Sequence, residues 1–157
     1  MDNGANFQLV RLLQEFTQAS DRFVDTTSGD NAMHRSDLNA LSVIMRHEQA
    51  GRPPTASMLG RELHLSPPAT SALVNRLERS GHVVRHRSED DRRVVRIAVT
   101  DHAVAEGRRM FGPLARALGQ AIAGYSAAEI AVVSRFMADA SRAVDRAVDD
   151  ATKKLDM

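Results

Sequence analysis

The chain has 157 residues, 43% hydrophobic and 26% charged, with a formal net charge of +1. This is ordinary globular composition, long enough for one or two small domains with a core, and bulk charge by itself does not point to a polyanionic partner. Cysteine is absent, which excludes disulfides, thiolate redox sensing and cysteine-based zinc sites, and tryptophan is absent with aromatics at 4%, so the core must be aliphatic.

Residues 7–27 carry Leu9, Leu13, Phe16, Ser20, Phe23 and Thr27 at the three-four spacing of an amphipathic helix, stopped by T-S-G-D-N at 27–31. A second helix is expected over about 36–49, with Leu38, Leu41, Ile44 and Met45 facing inward, and Gly51, Pro53 and Pro54 end it. Thr55 caps a short third helix with Leu59 and Leu63 inside. After the tight turn H-L-S, Ser66 caps a fourth helix, and Pro67 takes its first position, where a missing N–H costs nothing. Thr70, Leu73, Val74 and Leu77 form its inward stripe; Pro68, Ala69, Ser71, Ala72, Asn75, Arg76 and Arg79 are left outside, and Gly81 ends it.

Two β-rich segments follow, 83–87 and 94–99, joined by a hairpin loop of turn-forming residues at 88–93. Thr100 caps a long helix to about Ala123, through Val104, Met110, Leu114, Leu118 and Ile122, with Gly112-Pro113 predicting a kink. Ser126 and Glu129 have the spacing of a capping box. They open a last helix to about Ala151, with Ile130, Val133, Phe136, Met137, Ala140, Val144 and Val148 on one face. The fold expected is mainly α with a small β-hairpin wing. A winged helix-turn-helix lobe at 35–100 joins a helical dimerisation region made of 1–34 and 101–157. The long helices have apolar stripes that the lobe is too small to cover, and the same face on a second copy is the commonest partner.

Charge is local rather than global. From Arg76 to Arg96 seven arginines (76, 79, 85, 87, 92, 93 and 96) stand against four acids (Glu78, Glu89, Asp90 and Asp91). A helix that fits a groove, followed by a basic two-stranded ribbon, is what a reader of duplex DNA needs.

Three stretches in order carry a resemblance to the MarR family of winged helix-turn-helix regulators: T-A-S-M-L-G-R-E-L-H-L-S, S-P-P-A-T-S-A-L-V-N-R-L-E-R-S-G, and Asp91-Arg92-Arg93 followed by V-T. The resemblance implies a triangular homodimer with interlocked terminal helices and two lobes reaching adjacent major grooves of a pseudo-palindromic operator. It implies a repressor of efflux, stress or catabolic genes, released by a small aromatic or phenolic effector bound between lobe and dimer region. The sequence departs from the family at Ala72, where many relatives carry a longer polar residue on the DNA side, and at Thr70, where an aliphatic is usual. Lack of cysteine sets aside the peroxide-sensing branch. For the zinc-sensing branch, the six histidines (34, 47, 64, 82, 86 and 102) are dispersed, with no His-x₃-His pair on a helix.

The residues expected at DNA are Ser66 and Pro68, through backbone N–H groups at the helix start, then Ser71, Asn75 and Arg76, and the wing arginines Arg92 and Arg93, one of which enters the minor groove. Asp91 is read as wing support, since an acid facing phosphate would repel it. Met33, His34, Met45 and His47 are candidates for a ligand pocket, with core packing the stronger reading for the methionines. The bland alternative for the arginines is a solvated turn. No Gly-rich phosphate loop, nucleophile elbow or metal-ligand spacing is present, so no enzyme activity, cofactor or metal is expected. No apolar run reaches the length of a membrane span and the N-terminus lacks a signal peptide's pattern, which is read as cytoplasmic. The alternative function is a winged-helix module that binds protein rather than specific DNA.

Overall fold

A computed structural model describes residues 3–28, 33–88 and 91–155. The helices are α1 (Asn3–Ser28), α2 (Arg35–Gln49), α3 (Ala56–Glu62), α4 (Pro67–Arg79), α5 (Asp101–Ile122) and α6 (Ala127–Leu155). Between α4 and α5 lie strands β1 (Val83–Arg87) and β2 (Val95–Val99), paired antiparallel with Val83 opposite Val99 and Arg87 opposite Val95. Every expected element is present. α1 starts earlier than the apolar stripe suggested, and Val94 lies outside β2.

The chain divides into two compact units, residues 1–110 and 111–157. In the first, Ala40, Leu41, Val43 and Ile44 of α2, Leu59 of α3, and Leu73, Val74 and Leu77 of α4 form one core with Val83, Ile97 and Ala103. β2 also bonds outward: the Ile97 N–H donates to the Pro54 carbonyl at 2.8 Å, tying the hairpin to the α2–α3 connection. Arg35, at the start of α2, reaches Asp21 and Asp25 of α1 at 2.7 and 3.0 Å, and those carboxylates hold its pKa above the ordinary guanidinium value. In the second unit, Ser126 caps α6 as expected. Its Oγ accepts from the Glu129 N–H at 3.3 Å, while its O–H and N–H donate to Glu129 Oε2 at 2.6 and 2.8 Å, and those two donors hold the Glu129 carboxyl below its usual pKa.

One inward assignment is corrected. Met45 is 36% exposed, because the buried face of α2 runs through Asp37, Ala40, Leu41 and Ile44, with Val43 on its other flank. Asp37 stands where an apolar residue would be expected. Pro113 lies inside α5 without ending it, although it removes one backbone donor. Among the described residues, no helix is long and apolar enough to cross a membrane.

Candidate nucleic-acid interface

Three backbone devices set the exposed face of α4. The H-L-S turn places His64 in the left-handed region at φ 52°, which reverses the chain after α3. Ser66 is the N-cap, with Oγ accepting from the Ala69 N–H at 3.4 Å. At the far end Gly81 takes φ 75°, a conformation glycine adopts without steric cost, and the chain turns into β1.

The start of α4 does not supply the backbone donors expected there. Pro67 and Pro68 have no N–H, and Ser66 takes the next two, Ala69 on its hydroxyl and Thr70 on its carbonyl at 2.9 Å. Pro68, expected to present a backbone donor to phosphate, has none to give, and that part of the expectation is corrected. Ser66 and Pro68 form a rigid edge, with Ser66 committed to capping.

Further along, Ser71, Ala72, Asn75, Glu78 and Arg79 are all exposed. Ala72, Asn75, Glu78 and Arg79 line an open groove of about 450 Å³, in which the small Ala72 side chain leaves room. Arg85 of β1 donates to Asn75 Oδ1 at 2.7 Å and also pairs with Glu78. That contact joins the helix to the strand behind it, offsets the one acid on the face, and holds the Asn75 amide by its oxygen. Sequence reading left Arg79 and Arg85 out of the site, although both lie in the arginine-rich stretch it identified.

Arg76 behaves differently from its neighbours. Its Nε donates to Asp37 Oδ1 at 3.0 Å and its Nη2 to the same oxygen at 2.6 Å, with Ser36 Oγ at 3.3 Å. Asp37 is buried, and its Oδ2 accepts the His34 N–H at the start of α2 at 3.1 Å. Arg76 thus compensates a carboxylate removed from water, and two of its donor atoms face α2.

The wing carries its arginines on an ordered turn. Asp91 Oδ1 accepts the Arg93 N–H at 2.9 Å and its carbonyl accepts the Val94 N–H at 2.9 Å. Asp91 thus holds the backbone of Arg93 and Val94 at the tip of the wing. Asp91, Arg92 and Arg93 are exposed; Glu89 and Asp90 of the expected loop lie outside the described residues. Arg96 is not offered outward, since its Nη1 donates to the Pro53 carbonyl at 2.9 Å.

The four candidate ligand residues have separate surroundings. Met33 packs against the lobe core, Met45 and His34 are exposed, and His47 Nε2 lies 2.7 Å from Glu62 Oε2. Nearby, Glu48 Oε1 accepts the Val99 N–H at 3.2 Å, and desolvation pushes this carboxyl above its usual pKa against the pull of that bond and of His86.

A profile of the MarR family matches residues 33–94. A curated relative from Bacillus subtilis (strain 168), the uncharacterized HTH-type transcriptional regulator YcgE, is 30% identical over 106 residues, covering 68% of this chain and 66% of its own length. The chain belongs to the MarR family. The alignment thus spans just under two thirds of YcgE. Among solved structures, a MarR family protein from Bacillus stearothermophilus matches with a TM-score of 0.68 at 21% identity, over 92% of this chain and 99% of that one. FabT of Streptococcus pneumoniae, solved in complex with DNA, matches with a TM-score of 0.63 at 23% identity, over 88% and 97%. These likenesses agree with the fold of the MarR-family chain: among the described residues, six helices with a two-stranded hairpin between the fourth and fifth.

Proposed function

We propose that this MarR-family chain is a sequence-specific reader of double-stranded DNA that regulates transcription as a homodimer in the cytoplasm. The observation that carries this is the pairing of an exposed, short-side-chain helix face (Ser71, Ala72, Asn75) with an exposed arginine pair on an Asp91-locked turn of the adjoining hairpin. Short polar side chains let a helix sit deep in a major groove, and arginine suits the narrower, more negative minor groove beside it. Asn75 and Ser71 are assigned base or phosphate contact, Arg79 phosphate contact, and Arg92 and Arg93 the minor groove. Arg76 positions α4 on α2, with any DNA contact secondary to that. No catalytic role is assigned to any residue.

The homodimer is supported by the apolar faces each unit leaves in water: Leu9, Leu12 and Phe16 on α1, and Val133, Met137 and Val144 on α6. A two-fold pair of lobes suits half-sites about one DNA turn apart, roughly 34–36 Å. Repression relieved by a small aromatic or phenolic effector belongs to the same reading and rests on the family resemblance.

Footprinting on the region upstream of the chain's own gene, followed by titration of the protected duplex over a range of salt, tests the proposal. The expected result is a palindromic footprint and an affinity that falls steeply with salt, released by at least one compound in a phenolic panel. Equal, weak binding to protected and scrambled duplexes would favour a module that binds protein instead.

A further inference from the structure

The histidines that look dispersed along the chain are not all dispersed in space. His82 follows the glycine turn after α4, while His102 and Glu106 are four residues apart on the first turns of α5. Their ligand atoms all lie within 4.8 Å of one another. His82 Nε2 is 2.7 Å and His102 Nε2 3.6 Å from the same oxygen, Glu106 Oε2, and the two rings are tilted by 46° with centroids 5.2 Å apart. We propose that His82, His102 and Glu106 bind a divalent transition metal of the Zn²⁺ class, with water completing the shell.

The donor set is two imidazoles and one carboxylate, which zinc takes in open sites with a solvent-filled fourth position. In a tetrahedral shell with bonds of about 2.0–2.1 Å, donor atoms stand about 3.3 Å apart. The His102–Glu106 separation of 3.6 Å is already close to that, and the 2.7 Å His82–Glu106 contact has to open by only about 0.6 Å. His102 is exposed, which gives the ion and its water a way in, while His82 and Glu106 are held from the protein side. Arg109 Nη2 approaches the other carboxylate oxygen, Oε1, at 3.6 Å, which favours single-oxygen coordination through Oε2.

An outer partner is also in place. Ser80 Oγ lies 2.6 Å from His82 Nδ1 and 3.0 Å from the Leu77 carbonyl, so its single proton has two acceptors within reach. With the Ser80 O–H donated to Nδ1, His82 donates Nε2–H to Glu106, and the pair is satisfied without an ion. With the O–H donated to the Leu77 carbonyl, Ser80 accepts Nδ1–H and an Nε2 lone pair is turned toward Glu106 and His102. That second arrangement is the usual one around a metal-bound histidine. Loading therefore moves the ring's proton from Nε2 to Nδ1 and swings the serine O–H, still on its oxygen, from Nδ1 to the Leu77 carbonyl. The ion would join the start of β1 to α5 within the first unit.

The test uses the full chain without DNA, so its failure leaves the DNA reading untouched. Zn²⁺ is titrated against a chromophoric chelator, and Co²⁺ is added separately as a spectroscopic probe. The expected result is one ion per chain, visible Co²⁺ bands typical of a four- or five-coordinate nitrogen-oxygen shell, and at least a tenfold loss of affinity in His102→Ala and in Glu106→Gln. His102 is exposed, so His102→Ala should keep the wild-type fold and makes the comparison clean. Failure of the wild-type chain to compete with a chelator of micromolar affinity overturns the proposal, and so does Zn²⁺ binding that survives undiminished in both variants.

Discussion

Arg76 and Asn75 are adjacent on α4, and the structure gives them different work. Arg76→Ala leaves the buried Asp37 carboxylate without its cation. Removing one partner of a fully buried pair costs about 3–5 kcal/mol, and since Arg76 keeps part of its surface in water we expect about 2–3 kcal/mol here. Asn75→Ala removes an exposed amide whose Arg85 partner keeps its pairing with Glu78, so stability should fall by only about 1 kcal/mol, less than for Arg76→Ala, while affinity for the operator drops. Urea unfolding beside duplex titration separates the two. An Arg76→Ala chain as stable as wild type, yet unable to bind, would make Arg76 a direct DNA contact. The sequence showed that the two side chains leave the apolar stripe of α4, but not that Arg76 turns back to a carboxylate 39 positions earlier. Periodicity marks faces by polarity, and a buried acid is invisible to it until its partner is found. The contact of His82 with Glu106 is hidden from periodicity in the same way. The His102-x₃-Glu106 spacing was visible, while His82 joins it only through the turn after α4.

The elements themselves were legible because each has a local cause: caps at Thr55, Ser66, Thr100 and Ser126, stops at Gly51 and Gly81, and β-branched residues in both strands. Less legible was how closely they approach. At the α3–α4 crossing, a Cβ on Gly60 would stand 2.5 Å from Thr70 Oγ1, and 3.4 Å from the Leu65 carbonyl oxygen. Thr70 is fixed in turn, its hydroxyl donating to the Ser66 carbonyl at 3.0 Å. The hydroxyl that departs from the family's usual aliphatic thus fits a glycine on the facing helix. Gly60→Ala should destabilise the lobe by about 1–3 kcal/mol, the usual cost of overpacking. Thr70→Ala removes the clashing atoms, so the double change should recover most of that loss. Thermal unfolding of the two single variants and the double variant checks this, and a Gly60→Ala chain that melts at the wild-type temperature would mean the crossing is looser than described.

For the whole molecule, the open question is what covers the long helices. Val144 is 62% exposed and Phe16 50% exposed in the single chain, on faces whose period the sequence already displayed. Such faces are normally interfaces. If a second copy covers α6, Val144→Asp places an unpaired charge in the contact, and sedimentation should show a shift from dimer to monomer with the lobe still folded. A wild-type chain that sediments as a monomer at high micromolar concentration would remove the two-fold arrangement. The central claim is that α4 and the wing read DNA together, and the most direct measurement is the salt dependence of operator affinity in the Arg92→Ala/Arg93→Ala chain. Each arginine that neutralises a phosphate adds about 0.9 to the slope of log affinity against log salt, counted twice in a dimer. The account predicts weaker binding, a flatter slope and unchanged preference at the major-groove positions, with the loss greatest on A·T-rich flanks. A slope and affinity equal to wild type would contradict it, leaving the two arginines as no more than the solvated tip of a hairpin.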